Sequence, residues 1–133
     1  MKQTYNLFLD DFREPEDAFS YTHNQIYLIG WVVVRNYNDF VNYILTKGMP
    51  SLISFDHDLA DFHYDNQHNL DQKYYDTVTE KTGYHCAKWL VNYCIDNDLD
   101  LPDYLAHTMN TVGRKNILSL LDNYKKFREN GKR

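Results

Sequence analysis

Two short apolar runs in this chain end in acid: residues 5–9 lead into Asp10 and Asp11, and residues 51–55 lead into Asp56, His57 and Asp58. If both runs are inner strands of one parallel sheet, neighbouring strand ends lie about 5 Å apart, and carboxylates gathered there repel one another unless something cationic sits between them. A divalent metal is the expected counter-ion, Mg2+ first and Mn2+ as the alternative, because such ions favour oxygen ligands and need one or two carboxylates completed by water and phosphate. Asp10, Asp11 and Asp56 are the candidate ligands. In extended backbone Asp10 and Asp11 point to opposite sides, whereas Asp56 and Asp58 share one. Acids that simply end strands at the surface are the plainer alternative.

Around these acids stand groups that could move protons or hold a phosphate. His57 and His107 are candidates for proton transfer, since an imidazole titrates near neutral pH, and Asp58 accompanies His57 as a candidate catalytic group. A structural hydrogen-bonding role is an equal expectation for either histidine. Arg13 could present two donors to a phosphate, or pair with one of the aspartates instead. Asn110 to Gly113 opens a helix, where free backbone N–H groups suit an anion and Gly113 would let a ligand approach; an ordinary helix cap is the competing reading. The sequence shows no nucleotide-binding glycine loop, zinc-ligand spacing or serine nucleophile elbow.

The elements that must position these residues follow from apolar periodicity. Residues 5–9, 31–35 and 51–55 read as strands, and 103–107 as a weaker fourth. Residues 12–30 have no clear period and are expected to be loop with at most one short irregular element. Asn38 is expected to cap a helix over 39–46 that turns Phe40, Tyr43 and Ile44 inward and stops at Gly48 and Pro50. Thr82 caps a helix over 83–96 with Tyr84, Ala87, Leu90 or Val91, and Cys94 or Ile95 inward, and a last helix runs from Val112 to about Arg128 with Ile117, Leu120, Leu121, Tyr124 and Phe127 inward. Residues 59–81 are polar, acidic and aromatic without period, and are expected to form a partly mobile flap. Strands alternating with helices predict right-handed crossovers and an α/β fold, with the functional crevice beyond the carboxyl ends of the strands.

Composition bounds the rest. A chain of 133 residues, 43% apolar by letter and carrying twelve Tyr and seven Phe, suits a single domain, 1–133, with one core. A net charge of −5 argues against generic DNA or RNA binding, which depends on neutralising phosphates with Lys and Arg. The basic stretch Lys125, Lys126, Arg128, Lys132 and Arg133 reads as a solvated helix end. Cys86 and Cys94, eight apart on one helix, would stand about 12 Å apart, too far for a disulfide. Free thiols and the lack of a long apolar stretch point to the cytoplasm, with no membrane insertion.

The strings Leu7-Phe8-Leu9-Asp10-Asp11-Phe12-Arg13-Glu14-Pro15, Phe55-Asp56-His57-Asp58-Leu59, Thr82-Gly83-Tyr84 and His107-Thr108-Met109-Asn110, followed by Gly113, resemble the cyclic-phosphate-processing receiver-like family, a divergent branch of the response-regulator receiver fold. The resemblance covers most of the chain, with blanks at 16–30 and 60–81. It implies a flavodoxin/receiver-like three-layer sandwich with a mainly parallel sheet of four to five strands. It also implies a divalent metal at Asp10, Asp11 and Asp56, of which Asp56 matches the aspartate that signalling receivers phosphorylate. The activity it implies is processing of cyclic phosphates on nucleotides or RNA ends by a metal-dependent phosphoesterase, with His57 or His107 moving protons and Arg13 and Asn110 positioning the phosphate. Two departures from signalling receivers weigh against a phosphorelay: there is no lysine-proline step after a fifth strand, and His57 and Asp58 directly follow the acceptor position. Thr111 stands where a proline often follows the asparagine. The alternatives are a receiver-type switch with Asp56 as phosphoacceptor and a non-catalytic module that binds a cyclic nucleotide or a protein.

Overall fold

The computed structural model describes residues 4–59 and 81–131. Within them the apolar runs do form strands: β1 Asn6–Leu9, β2 Val32–Val34, β3 Leu52–Phe55 and β4 Asp103–Ala106. They make one sheet in the order β2-β1-β3-β4, and every neighbouring pair is parallel. This is the α/β sandwich expected from the sequence, at the lower of the two strand counts among the described residues.

Strand alternation divides the core between two faces. Leu7, Leu9, Val34, Ile53 and Phe55 are buried with Phe40 and Ile44 of α2 (Tyr37–Lys47), with Cys86, Ala87, Leu90, Val91 and Cys94 of α3 (Gly83–Asn97), and with Ile117, Leu121 and Tyr124 of α4 (Thr111–Gly131). Phe8, on the opposite face, packs with Ala18 of α1 (Pro15–Thr22) and Tyr27 of a 3-10 turn (Gln25–Leu28). Both cysteines are free and buried. Among the described residues no helix is long and apolar enough to cross a membrane.

Several expectations need correction. Residues 12–30 are not chiefly loop: Pro15 opens an eight-residue helix whose first turn is closed by a reciprocal pair, Glu14 with Asp17. Only Pro15 and Ala18 of that helix are buried, which is too few to give a readable period. The second helix is capped by Asn36 rather than Asn38, with Asn36 Oδ1 accepting from Asp39 N at 2.8 Å. Phe127, expected to face inward, is 69% exposed, whereas of Cys94 and Ile95 it is Cys94 that is buried, within the expectation. A 21-residue helix is about 30 Å long and outruns a four-residue strand, so its last turns have no sheet to cover. The expected flap lies almost wholly at 60–80, outside the described residues.

One contact joins this framework to the strand ends. Thr82 caps α3, its hydroxyl accepting from Tyr84 N at 3.2 Å, and His85 returns a ring nitrogen to Thr82 N at 3.0 Å. Gly83 N then donates to His57 O at 2.7 Å. A Cβ on Gly83 would fall 1.7 Å from the Asp56 carbonyl oxygen, a backbone atom that cannot swing aside. Gly83→Ala should therefore cost about 3 kcal/mol or more, seen as a lower urea midpoint with an unchanged slope; an unchanged midpoint would show that this approach is looser than described.

Candidate functional site

Register brings the polar residues together. Leu9 is level with Phe55, and Phe55 with Ala106. The hydrogen-bond ladder continues one step beyond them: Asp10 N donates to Val34 O at 3.1 Å, Asp56 N to Leu9 O at 3.0 Å and His107 N to Phe55 O at 3.0 Å. Asp10, Asp56 and His107 thus form the next row across three strand ends. By the period of two their side chains follow Phe8, Ser54 and Leu105 onto the α1 face. All three are buried, and one potential ligand atom from each lies within 4.8 Å of the others.

Asp10 is held from several sides. Its Oδ1 accepts from Phe12 N at 3.0 Å and Arg13 N at 2.9 Å, and its Oδ2 meets His107 Nε2 at 2.9 Å, with Arg13 Nη1 at 3.8 Å. Burial works against its charge, but the bond to His107 and the two backbone N–H groups outweigh burial and hold the carboxyl below its usual range. An ionised carboxylate only accepts, so His107 Nε2 carries the proton and Nδ1 accepts from Ser54 Oγ at 2.7 Å. Ser54 Oγ accepts in turn from Tyr27 Oη at 2.8 Å. Burial lowers the His107 pKa against the pull of Asp10, so the ring is neutral, stacked on Phe8 with centroids 4.3 Å apart.

Asp56 meets a different environment. Its Oδ1 accepts from His57 N at 2.9 Å, and the Thr108 hydroxyl also bonds to it. Burial, then the negative charge of Asp10, push its pKa up to about 7. The donor chemistry therefore fits a hard divalent cation, which would relieve both causes of that shift. Asp10 and Asp56 would hold it; Asp11, half-buried, is not one of the three clustered residues.

The other sequence candidates form a second cluster at the start of α4. His57 Nδ1 lies 2.9 Å from Asp58 Oδ1, and Asn110 Nδ2 lies 3.4 Å from His57 Nδ1 and 3.4 and 3.5 Å from the two Asp58 oxygens. Asn110 Oδ1 accepts from Gly113 N at 2.8 Å, so Asn110 caps the helix as well. The space at Gly113 belongs to the protein rather than to a ligand: a Cβ there would sit 2.3 Å from His57 Cγ. On the far side of His57 a groove of about 610 Å³ opens between Thr82, Tyr84, Asn116 and Leu120. His107, expected to shuttle protons, is buried with both nitrogens engaged, which leaves it no direct path to water.

Sequence reasoning missed Ser54, Tyr27, Thr108 and Tyr21, whose hydroxyl donates to His107 O at 2.6 Å. Ser54 left a signal: it is the one polar letter inside an apolar strand, two residues before Asp56. The tyrosines sit in a stretch without period and left none.

Residues 5–123 match the family model described as the Cyclic-phosphate processing Receiver domain. No curated protein and no solved structure matches the chain.

The Asp56 shift fixes a pH dependence for the metal-free protein. Between about pH 4 and pH 7 the folded state keeps a proton that the unfolded chain has released, so this contribution to stability is present below pH 4 and lost as pH rises through 7. Asp56→Asn removes the dependence, and in chelator at pH 8 it should raise stability by on the order of 2 kcal/mol, measured by urea denaturation. Destabilisation by the same change at pH 8 would contradict the charge repulsion.

Proposed function

We propose that this chain, which belongs to the Cyclic-phosphate processing Receiver domain family, is a metal-dependent phosphoesterase that opens a cyclic phosphate on a nucleotide or an RNA end. The observation that carries the reading is the buried Asp10 and Asp56 pair, one acid kept ionised and the other raised to about 7 by burial and its neighbour. Such an arrangement is costly without a cation and well suited to one.

In this reading Asp56 and Asp10, with the adjacent Asp11, would hold Mg2+ or Mn2+. Bound there, the ion would offset the negative carboxylates and polarise a phosphate oxygen. Arg13, whose guanidinium lies beside the mouth of the site, donates to a second phosphate oxygen. His57, oriented by Asp58 through Nδ1, has Nε2 to accept a proton from the attacking water and to return it to the sugar oxygen released as the ring P–O bond breaks, and Asn110 fixes the Asp58 carboxylate relative to the ring. His107 positions Asp10 rather than exchanging protons with substrate.

The test is a panel of 2′,3′- and 3′,5′-cyclic phosphates with Mg2+, with Mn2+ and with chelator. Turnover of one ring type should require metal, fall by about 100-fold or more in Asp56→Asn, and fall by roughly 100-fold in His57→Ala at unchanged metal affinity. Equal turnover in chelator would rule the mechanism out. A stable adduct at Asp56 with a small phosphoryl donor, and no turnover, would make the domain a receiver-type switch instead.

A further inference from the structure

Beside the acidic row the surface carries large apolar groups that belong to neither core cluster of the described residues. Phe12 is 61% exposed and Met109 is 65% exposed. Neither is on a loose tip. Phe12 N is bonded to Asp10 Oδ1 at 3.0 Å, which fixes the backbone from which the ring projects. Met109 directly follows Thr108, whose hydroxyl bonds to Asp56 and accepts from Asn110 N at 3.1 Å.

Arg13 ties the two together. Its guanidinium carbon lies 4.8 Å from the centroid of Phe12 and 5.5 Å from that of Tyr21, and its Nη2 lies 3.8 Å from Met109 Sδ. The same guanidinium stands 3.8 Å from Asp10 Oδ2. The result is an aromatic, cationic and thioether surface that begins at the acidic row and faces solvent. Exposed apolar area of this kind at the edge of a polar crevice marks a place where something flat and apolar binds. A phosphate or a bare sugar phosphate has no such face, whereas every nucleobase has one and stacks on aromatic rings and guanidinium planes.

We infer that Phe12, Arg13 and Met109 form a nucleobase platform, on which the base of a cyclic nucleotide or of the last residue of an RNA strand stacks while its phosphate lies at the acidic row. The inference rests on the cyclic-phosphate reading only for where the phosphate goes. The platform holds one base: a net charge of −5 gives a long polynucleotide little electrostatic attraction beyond its terminus. Arg13 acts at the joint, one face against the Phe12 ring and its N–H groups toward the phosphate.

The test compares adenosine 2′,3′-cyclic phosphate, a short RNA ending in the same cyclic phosphate, and glycerol 1,2-cyclic phosphate, which has no base. Binding to the full chain in excess Mg2+ is measured by calorimetry. The nucleotide should bind about tenfold or more tightly than the base-free probe. Phe12→Ala should collapse that ratio toward one, Phe12→Trp should keep it, and the two base-bearing probes should respond to Phe12→Ala alike. A ratio of one in the unaltered protein, a ratio that survives Phe12→Ala, or no binding by any probe would overturn the platform. If the probes bind with the expected ratio and none is turned over, the phosphoesterase reading fails and the platform stands.

Discussion

Asp10 is kept as an anion at the end of β1 by His107 Nε2 on one oxygen and the N–H groups of Phe12 and Arg13 on the other. Much of the carboxyl edge of the sheet is arranged around that charge. The two backbone bonds bend the chain away from β1, and Arg35, one step beyond β2, holds the bend from outside by donating to the carbonyls of Asp10 and Arg13 and pairing with Glu14. Glu14 then closes the first turn of α1. From the other side His107 passes the constraint inward: its tautomer is set by Asp10, and the Ser54 and Tyr27 hydroxyls complete the chain beneath the site. A buried polar network of this kind stabilises only when each member is satisfied, and this one is satisfied from carboxylate to phenol.

The fixed anion sets the character of its neighbour. Asp56 is one strand away and also buried, so its negative form suffers both burial and the field of Asp10. Its backbone is pinned beneath Gly83, whose missing Cβ lets α3 touch the end of β3, and the following His57 ring fills the space left by Gly113. Gly113, which looks like a ligand approach in the sequence, and Gly83, which there only opens a helix, are therefore packing devices that hold the chain on either side of Asp56. The rigidity keeps the pair at a separation that a cation could bridge and that no proton-free state of the protein favours.

The sheet was legible because its strands are short apolar runs, and the acidic row was legible because Asp10 and Asp56 close two of them. The grouping of Asp10, rather than Asp11, with Asp56 comes from register and alternation, which a sequence does not fix until strand order is known. The same alternation sends His57 toward α4 and His107 beneath the carboxylates, so two histidines that look equivalent in the sequence occupy different environments. Helix α1 escaped notice since it buries only Pro15 and Ala18, and with it went Tyr21 and the neighbouring Tyr27. Phe127 was misplaced because periodicity reports which face of a helix is apolar and not where the sheet beneath it ends.

The most direct test of the account is the titration of the Asp56 side-chain carboxyl by carbon NMR, followed with chelator and again with saturating Mg2+. The structure predicts a midpoint near pH 7 in chelator and a carboxylate that stays ionised well below pH 5 once the metal is present. A midpoint near 4 in chelator, or one near 7 that Mg2+ does not move, would contradict the claim that Asp10 and Asp56 form a cation site.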